Sequence, residues 1–138
     1  MACFASGGVF VRRGRAITGH DELREFYRAL MLRYGLTVHT PHGIVTAIDG
    51  SKASGIVCGH AELAQGESLV LASFRYRDRY AVRDGRWVFT RRELTFAYAA
   101  PAGELAQRAT GPVRIAWPGT VPEDGDYPET FATWDSYR

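Results

Sequence analysis

Apolar residues recur along this chain with two different periods, and the switch between them outlines the fold. Over residues 20–34, Leu23, Phe26, Tyr27, Leu30 and Tyr34 stand at i, i+3, i+4, i+7 and i+11, the single stripe of an amphipathic helix. Asp21, Glu22 and Glu25 lie in its first turns and Arg33 in its last, the order that the helix dipole favours. Gly35 supplies the left-handed stop. Before the helix, "GGVFVR" at 7–12 reads as a short strand and "RRGRAITG" as a turn. After it, runs at about 36–48, 53–63, 69–83 and 86–99 have strand character. The joints "DGSK", "AQGES" and "RDGR" carry the turn chemistry of antiparallel hairpins. Twist accumulates along runs of this length, so the pattern predicts a long, curved antiparallel meander with the helix in its concavity, an α+β architecture. Leu23, Phe26, Tyr27 and Leu30 are expected to share one core with Trp87 and Phe89. A concave sheet closed by a helix also makes a pocket.

Residues 100–138 differ in character. They hold Pro101, Pro112, Pro118, Pro122 and Pro128, and five acids follow residue 122. A short helix near 102–109 is expected, then extended chain, because proline suits neither a helix interior nor a central strand. Trp117, Tyr127, Phe131, Trp134 and Tyr137 argue against disorder. The segment reads as an ordered arm, packed on its own domain or on a partner subunit.

Composition narrows the class without naming a function. The length of 138 residues suits one domain over 1–138, a core at 1–99 and the arm at 100–138. Hydrophobic content of 46% and charged content of 23% describe a soluble globular chain. A net charge of +2 is too small to imply a nucleic-acid or membrane partner. Sixteen of the seventeen basic residues are arginine, which reads as coding bias rather than as a phosphate site. Cys3 and Cys58 stand too far apart in sequence for a disulfide framework or zinc spacing. No run approaches the ~18 apolar residues of a membrane span. The N-terminus lacks the basic start of a signal peptide, so a cytoplasmic location is expected.

The candidate chemistry starts with the histidines of "LTVHTPHGIV", residues 36–45. Strand residues three apart point to opposite faces, so His39 and His42 should not share a metal unless Pro41 forms a bulge. A strand histidine is more often a structural residue than a catalyst, and both readings of His39 stay open here. Cys58, His60 and Glu62 share a face, either solvated or lining a pocket. His60 beside Glu62 could form a dyad. His39, His60 and Glu62 could also make a two-histidine, one-carboxylate iron site, though such ligands usually sit closer in sequence. In "FRYRDRYAVRDGRWVF", Arg75, Arg77 and Arg79 line one face and Tyr76, Asp78, Tyr80 and Val82 the other. Aromatic–basic alternation also occurs in RNA-binding strands, but the low net charge argues against that use. The arginines are expected to face solvent or a dimer partner. Asp78, if buried, needs a cation, and Arg92 is the expected one.

Three stretches, "ACFASGGVFVRRGRAITGHDELREFYRAL", "VHTPHGIVTAIDGSKASGIVCGHAEL" and "FRYRDRYAVRDGRWVFTRREL", follow one another with a spacing that resembles the SnoaL-like and scytalone dehydratase branch of the nuclear-transport-factor-2-like superfamily. The resemblance covers about residues 2–99. It implies a cone-shaped α+β fold, a strongly curved antiparallel sheet around a hydrophobic pocket, usually dimerised through the sheet face. Its members include dehydratases, isomerases and cyclases that need no cofactor. In the dehydratase branch a histidine opens the strand after the helix, the position of His39. A second pocket histidine lies on the following strand, near His60. Members begin with a long helix that carries a pocket tyrosine and aspartate, and "ACFA" looks like its last turn. On that resemblance the expectation is that the chain lacks the helix or that further residues precede Met1. The expectation is a protein binding a small hydrophobic carbonyl compound, with no cofactor or metal. His39 would act as general base, His60 as a second pocket group, and Tyr76 or Tyr80 as donor to an enolate oxygen. The competing expectation is a non-catalytic ligand-binding or dimeric interaction domain.

Overall fold

The helical stripe and the strand runs appear where the periodicities put them, except that the helix stops before Tyr34 and Gly35 does not take the left-handed backbone expected of it. In a computed structural model the protein is described over residues 1–134 and 136, so Tyr137, counted among the arm's aromatics, lies outside the described residues. Strands β1 (Phe4–Arg12) and β2 (Arg15–Thr18) precede helix α1 (Gly19–Arg33). Strands β3 (Leu36–Asp49), β4 (Lys52–Gln65), β5 (Ser68–Arg83) and β6 (Arg86–Pro101) follow, then the short helix α2 (Leu105–Arg108). The six strands form one sheet in the order β2-β1-β6-β5-β4-β3, which leaves β3 at an edge. Strands β3 to β6 are joined by two-residue turns, which only antiparallel neighbours permit. Strand β1 runs parallel to β6. Among the described residues no helix is long and apolar enough to cross a membrane.

One expectation about the N-terminal part is corrected. "RRGRAITG" is not only a turn. Arg13 and Gly14 take positive φ of 49° and 78°, the backbone of a tight hairpin turn, and this lets Arg15–Thr18 return as β2, with Val9 opposite Thr18 and Arg12 opposite Arg15. In "ACFA", Ala2 and Cys3 form a turn closed by the Phe4 N–H donating to Met1 O at 3.0 Å. From Phe4 the chain is extended and pairs with Phe89, because the Phe4 ring is buried 5.3 Å from that of Phe89.

The chain divides into two compact units. The first comprises Met1–Arg33, Pro41–Cys58 and Arg75–Leu94. Its core is Phe4, Phe10, Ile17 and Leu23, with Phe26, Tyr27, Tyr76, Phe89 and Leu94 packed against it. Helix α1 lies on β1 and β2. Leu23 is fully buried, whereas Phe26, Tyr27 and Leu30 are half-buried. Trp87 does not join this core and is 46% exposed. Phe89, two residues on, packs its ring at a tilt against those of Phe4 and Tyr80 instead.

The second unit comprises Tyr34–Thr40, Gly59–Phe74 and the chain from Thr95 onward. Leu63, Val70, Phe74, Phe96 and Ile115 are among its buried residues. The arm packs on this unit rather than standing free. Ala116 N–H donates to Ala99 O at 2.7 Å and Glu123 N–H to Ile115 O at 2.7 Å. Phe96 N–H donates to Asp126 Oδ2 at 2.8 Å, and Trp117 meets the Phe96 ring edge-on at 5.5 Å. Arg114 is the centre of this packing, with hydrogen bonds to Ala97 O, Gly111 O, Tyr127 O and both carboxylate oxygens of Glu129.

Candidate functional site

The second unit carries His39 and His60. Strand β4 places a glycine between them: a Cβ at Gly59 would lie 2.6 Å from both Phe74 Cζ and Thr40 O. The missing side chain leaves room for the Phe74 ring to cross β4, and that ring reaches His39, with centroids 5.6 Å apart. His39 keeps solvent contact, yet the surrounding protein partly desolvates it, which lowers its pKa below the ordinary 6.5. Among the described residues its nitrogens make no hydrogen bond, so its tautomer is not held by the protein.

His60 is placed differently. It follows Gly59 directly, so its side chain leaves β4 on the face opposite to the Phe74 ring. There it lies 6.1 Å from the ring of Tyr98, whose own pKa burial raises. Cys58 and Glu62 share that face by alternation, Cys58 half-buried and Glu62 exposed. Among the described residues no three His, Cys, Asp or Glu side chains stand together as metal ligands.

The first unit carries the tyrosines. Strand alternation turns Tyr76, Asp78 and Tyr80 toward the core and Arg77 and Arg79 to the exposed face. Asp78 is 2% exposed. It accepts from Arg92 Nε at 2.9 Å and Nη2 at 2.8 Å, the bridge expected from sequence. The Tyr80 hydroxyl also donates to Asp78, at 2.9 Å. Arg92 lies 4.1 Å above the Tyr76 ring and 4.0 Å from that of Phe89, cation–π distances for a guanidinium largely removed from water. Burial pulls the Arg92 pKa down, but the Asp78 hydrogen bonds and charge more than offset this and hold it above its ordinary value.

These surroundings decide which phenols can act. Burial, then the hydrogen bond to Asp78, pushes Tyr80 up to about 12. Burial raises Tyr76. Burial also pushes Tyr27 up to about 12, with Tyr76 adding to the rise and Arg92 opposing it. All three therefore stay protonated donors in the neutral range. Tyr80 already gives its proton to Asp78, so it is the poorer donor to a substrate oxygen. Sequence reasoning counted Tyr27 only as part of the helical stripe and Arg92 only as a counter-ion. A usable signal was present, because a tyrosine in an apolar stripe brings a polar tip that needs a partner.

Comparison with known proteins extends this geometry. A family model described as a SnoaL-like domain matches residues 1–93. Among curated proteins, none matches the sequence. A provisionally assigned scytalone dehydratase from Novosphingobium aromaticivorans superposes with a TM-score of 0.67 at 19% identity, covering 72% of this chain and 70% of that one. A hexachlorocyclohexane dehydrochlorinase, LinA type 2, gives 0.65 at 20% identity, over 86% of this chain and 78% of that one. Rv3472 of Mycobacterium tuberculosis, a protein of unknown function, gives 0.65 at 26% identity, over 75% of this chain and 60% of that one.

Proposed function

This chain belongs to the SnoaL-like domain family, within the nuclear-transport-factor-2-like fold, and from that premise we propose that it acts on a small hydrophobic carbonyl compound as a cofactor-independent dehydratase, isomerase or cyclase. His39 is the general base that removes a proton α to the carbonyl. The observation that carries the reading is the His39 imidazole set 5.6 Å from the Phe74 ring, exposed on one side and partly desolvated on the other, which lowers its pKa. With its pKa lowered, His39 is neutral at pH 7 and ready to accept a proton.

The test is turnover of a panel of enones and polyketide-like ketones by the wild type and His39→Gln. Loss of the base should lower kcat/KM by at least about 100-fold. The wild-type rate should fall on acidification through a pKa below 6.5, because only the unprotonated ring is active and burial favours that form. Equal turnover by both proteins, or an acid limb above 6.5, would remove His39 from the chemistry.

A specific observation supports the dimeric reading beside it. In the first unit, Val45, Ala47, Ser54, Ile56, Arg77, Arg79, Arg91 and Glu93 line an open groove of about 450 Å³. Val45 and Ile56, which line this groove, are 75% and 45% exposed. Apolar area of this kind on one face marks an association surface, and the occupant proposed is a second copy of the chain. Light scattering at micromolar concentration should then report twice the 15.3 kDa of one chain. A mass of one chain at that concentration rules the dimer out.

A further inference from the structure

Within the second unit the His39 side chain leans on a single aromatic neighbour. Among the described residues its nitrogens make no hydrogen bond, and its one ring contact is with Phe74, 5.6 Å away and tilted by 49°. What places Phe74 there is a missing side chain. A Cβ at Gly59 would lie 2.6 Å from Phe74 Cζ, 3.1 Å from Phe74 Cε2 and 2.6 Å from Thr40 O. The tip of the ring and the backbone of β3 therefore both occupy space that any other residue would fill. Gly59 does not take a positive φ, so the position asks for glycine because of room and not because of backbone conformation. The ring has nowhere to withdraw. Phe74 is 3% exposed. Ala61 and Leu63, on the same face of β4 as Gly59, and Val70 and Ala72, on the same face of β5 as Phe74, are buried too.

A glycine inside a strand weakens it and packs nothing itself, and it often marks a close approach by another group. Here the approaching groups are the ring beside His39 and the carbonyl of the residue after His39. We propose that Gly59 and Phe74 are positioning residues for His39: the ring admitted through the gap in β4 sets the direction in which the imidazole faces and covers one of its sides, leaving the other side open to a substrate. The lowered pKa of His39 agrees with a ring that keeps water from one side, since desolvation favours the neutral imidazole. The catalytic consequence rests on the reading of His39 as a base; the control of the imidazole by Gly59 and Phe74 does not.

The experiment is an NMR pH titration of the His39 ring signals in the full chain, assigned with His39→Gln, with folding checked by circular dichroism. In the wild type the ring should titrate below 6.5. Phe74→Leu removes the ring and keeps an apolar side chain, and Gly59→Ala forces the ring or the Thr40 carbonyl aside. Each should move the titration up toward 6.5. Val70→Ala opens the same core four residues along β5 from Phe74 and should leave the titration where it is. In turnover, Gly59→Ala should lower kcat about tenfold or more with KM nearly unchanged, the loss expected from a base held out of line. If Gly59→Ala does not fold, Phe74→Leu decides the question. An unmoved His39 titration in the folded variants, or an equal movement in Val70→Ala, would overturn the proposal and leave both residues as plain core. A moved titration with no turnover of any carbonyl compound would keep the positioning role and sink the base reading, whereas His39-dependent turnover with unmoved titrations would do the reverse.

Discussion

Asp78→Ala should lower the free energy of unfolding in urea by about 3–5 kcal/mol. The Asp78 side chain is wholly buried and the Arg92 side chain is only 20% exposed. Truncation would leave the guanidinium held between two rings with no counter-charge, and the Tyr80 hydroxyl with no acceptor. The penalty comes mainly from that stranded cation and not from the lost attraction, because taking both ions out of water had already offset much of the attraction. A second variant separates these terms. Asp78→Leu together with Arg92→Met removes both charges while keeping apolar volume, and should recover most of the loss. If the alanine variant loses less than about 1 kcal/mol, the pair behaves as a surface bridge and the account of this core is wrong.

Arg114→Ala should cost about 2–4 kcal/mol and release the arm. Arg114 is 9% exposed and donates five hydrogen bonds, at 2.9 Å to Ala97 O, Gly111 O and Tyr127 O and at 2.8 and 2.7 Å to Glu129. The Glu129 hydrogen bonds are the main cause holding the Arg114 pKa above its ordinary value. Glu129 can rehydrate when the guanidinium is gone, since its side chain is 36% exposed; this places the expected cost below that for Asp78. Protease cleavage between residues 111 and 129 should appear in the variant under conditions that leave the wild type intact. Lysine at this position keeps the charge but not the planar fork, so Arg114→Lys should restore less than half the stability. Full restoration by lysine would show that charge alone holds the arm.

Most of the architecture was legible because the governing signals are local. The stripe Leu23, Phe26, Tyr27, Leu30 fixes the period of α1, and turns such as Asp84–Gly85, with φ of 50° and 72°, announce their hairpins in two residues. Strand β2 was not legible. Four residues with only Ile17 buried give no alternation to detect, and the strand exists because the Arg13–Gly14 turn brings it back to β1. Trp87 shows the same limit from the other side, since a large aromatic beside a strand core says nothing about which face it takes. The Asp78–Arg92 bridge could be anticipated because a buried carboxylate requires a cation. What could not be anticipated was that Tyr80 would spend its proton on the same carboxylate. That depends on distances of tenths of an ångström between side chains, which no spacing along the chain encodes. Likewise, the face that His60 takes relative to Phe74 follows from Gly59 and its contacts, not from the histidines themselves.

Strand β3 is the outermost strand at its end of the sheet and is exposed along nearly its whole length of fourteen residues. A bare edge of that length is a template on which identical chains can stack without limit. Of its fourteen side chains only Asp49, at the last position, is acidic, and none is lysine or arginine, so charge gives almost no protection. Pro41 supplies what charge does not. Its nitrogen carries no hydrogen, which an edge strand tolerates and a growing stack does not. The ring divides β3 into a stretch of five residues and one of eight. Resistance to edge-to-edge stacking along β3 therefore rests on one imino acid, Pro41.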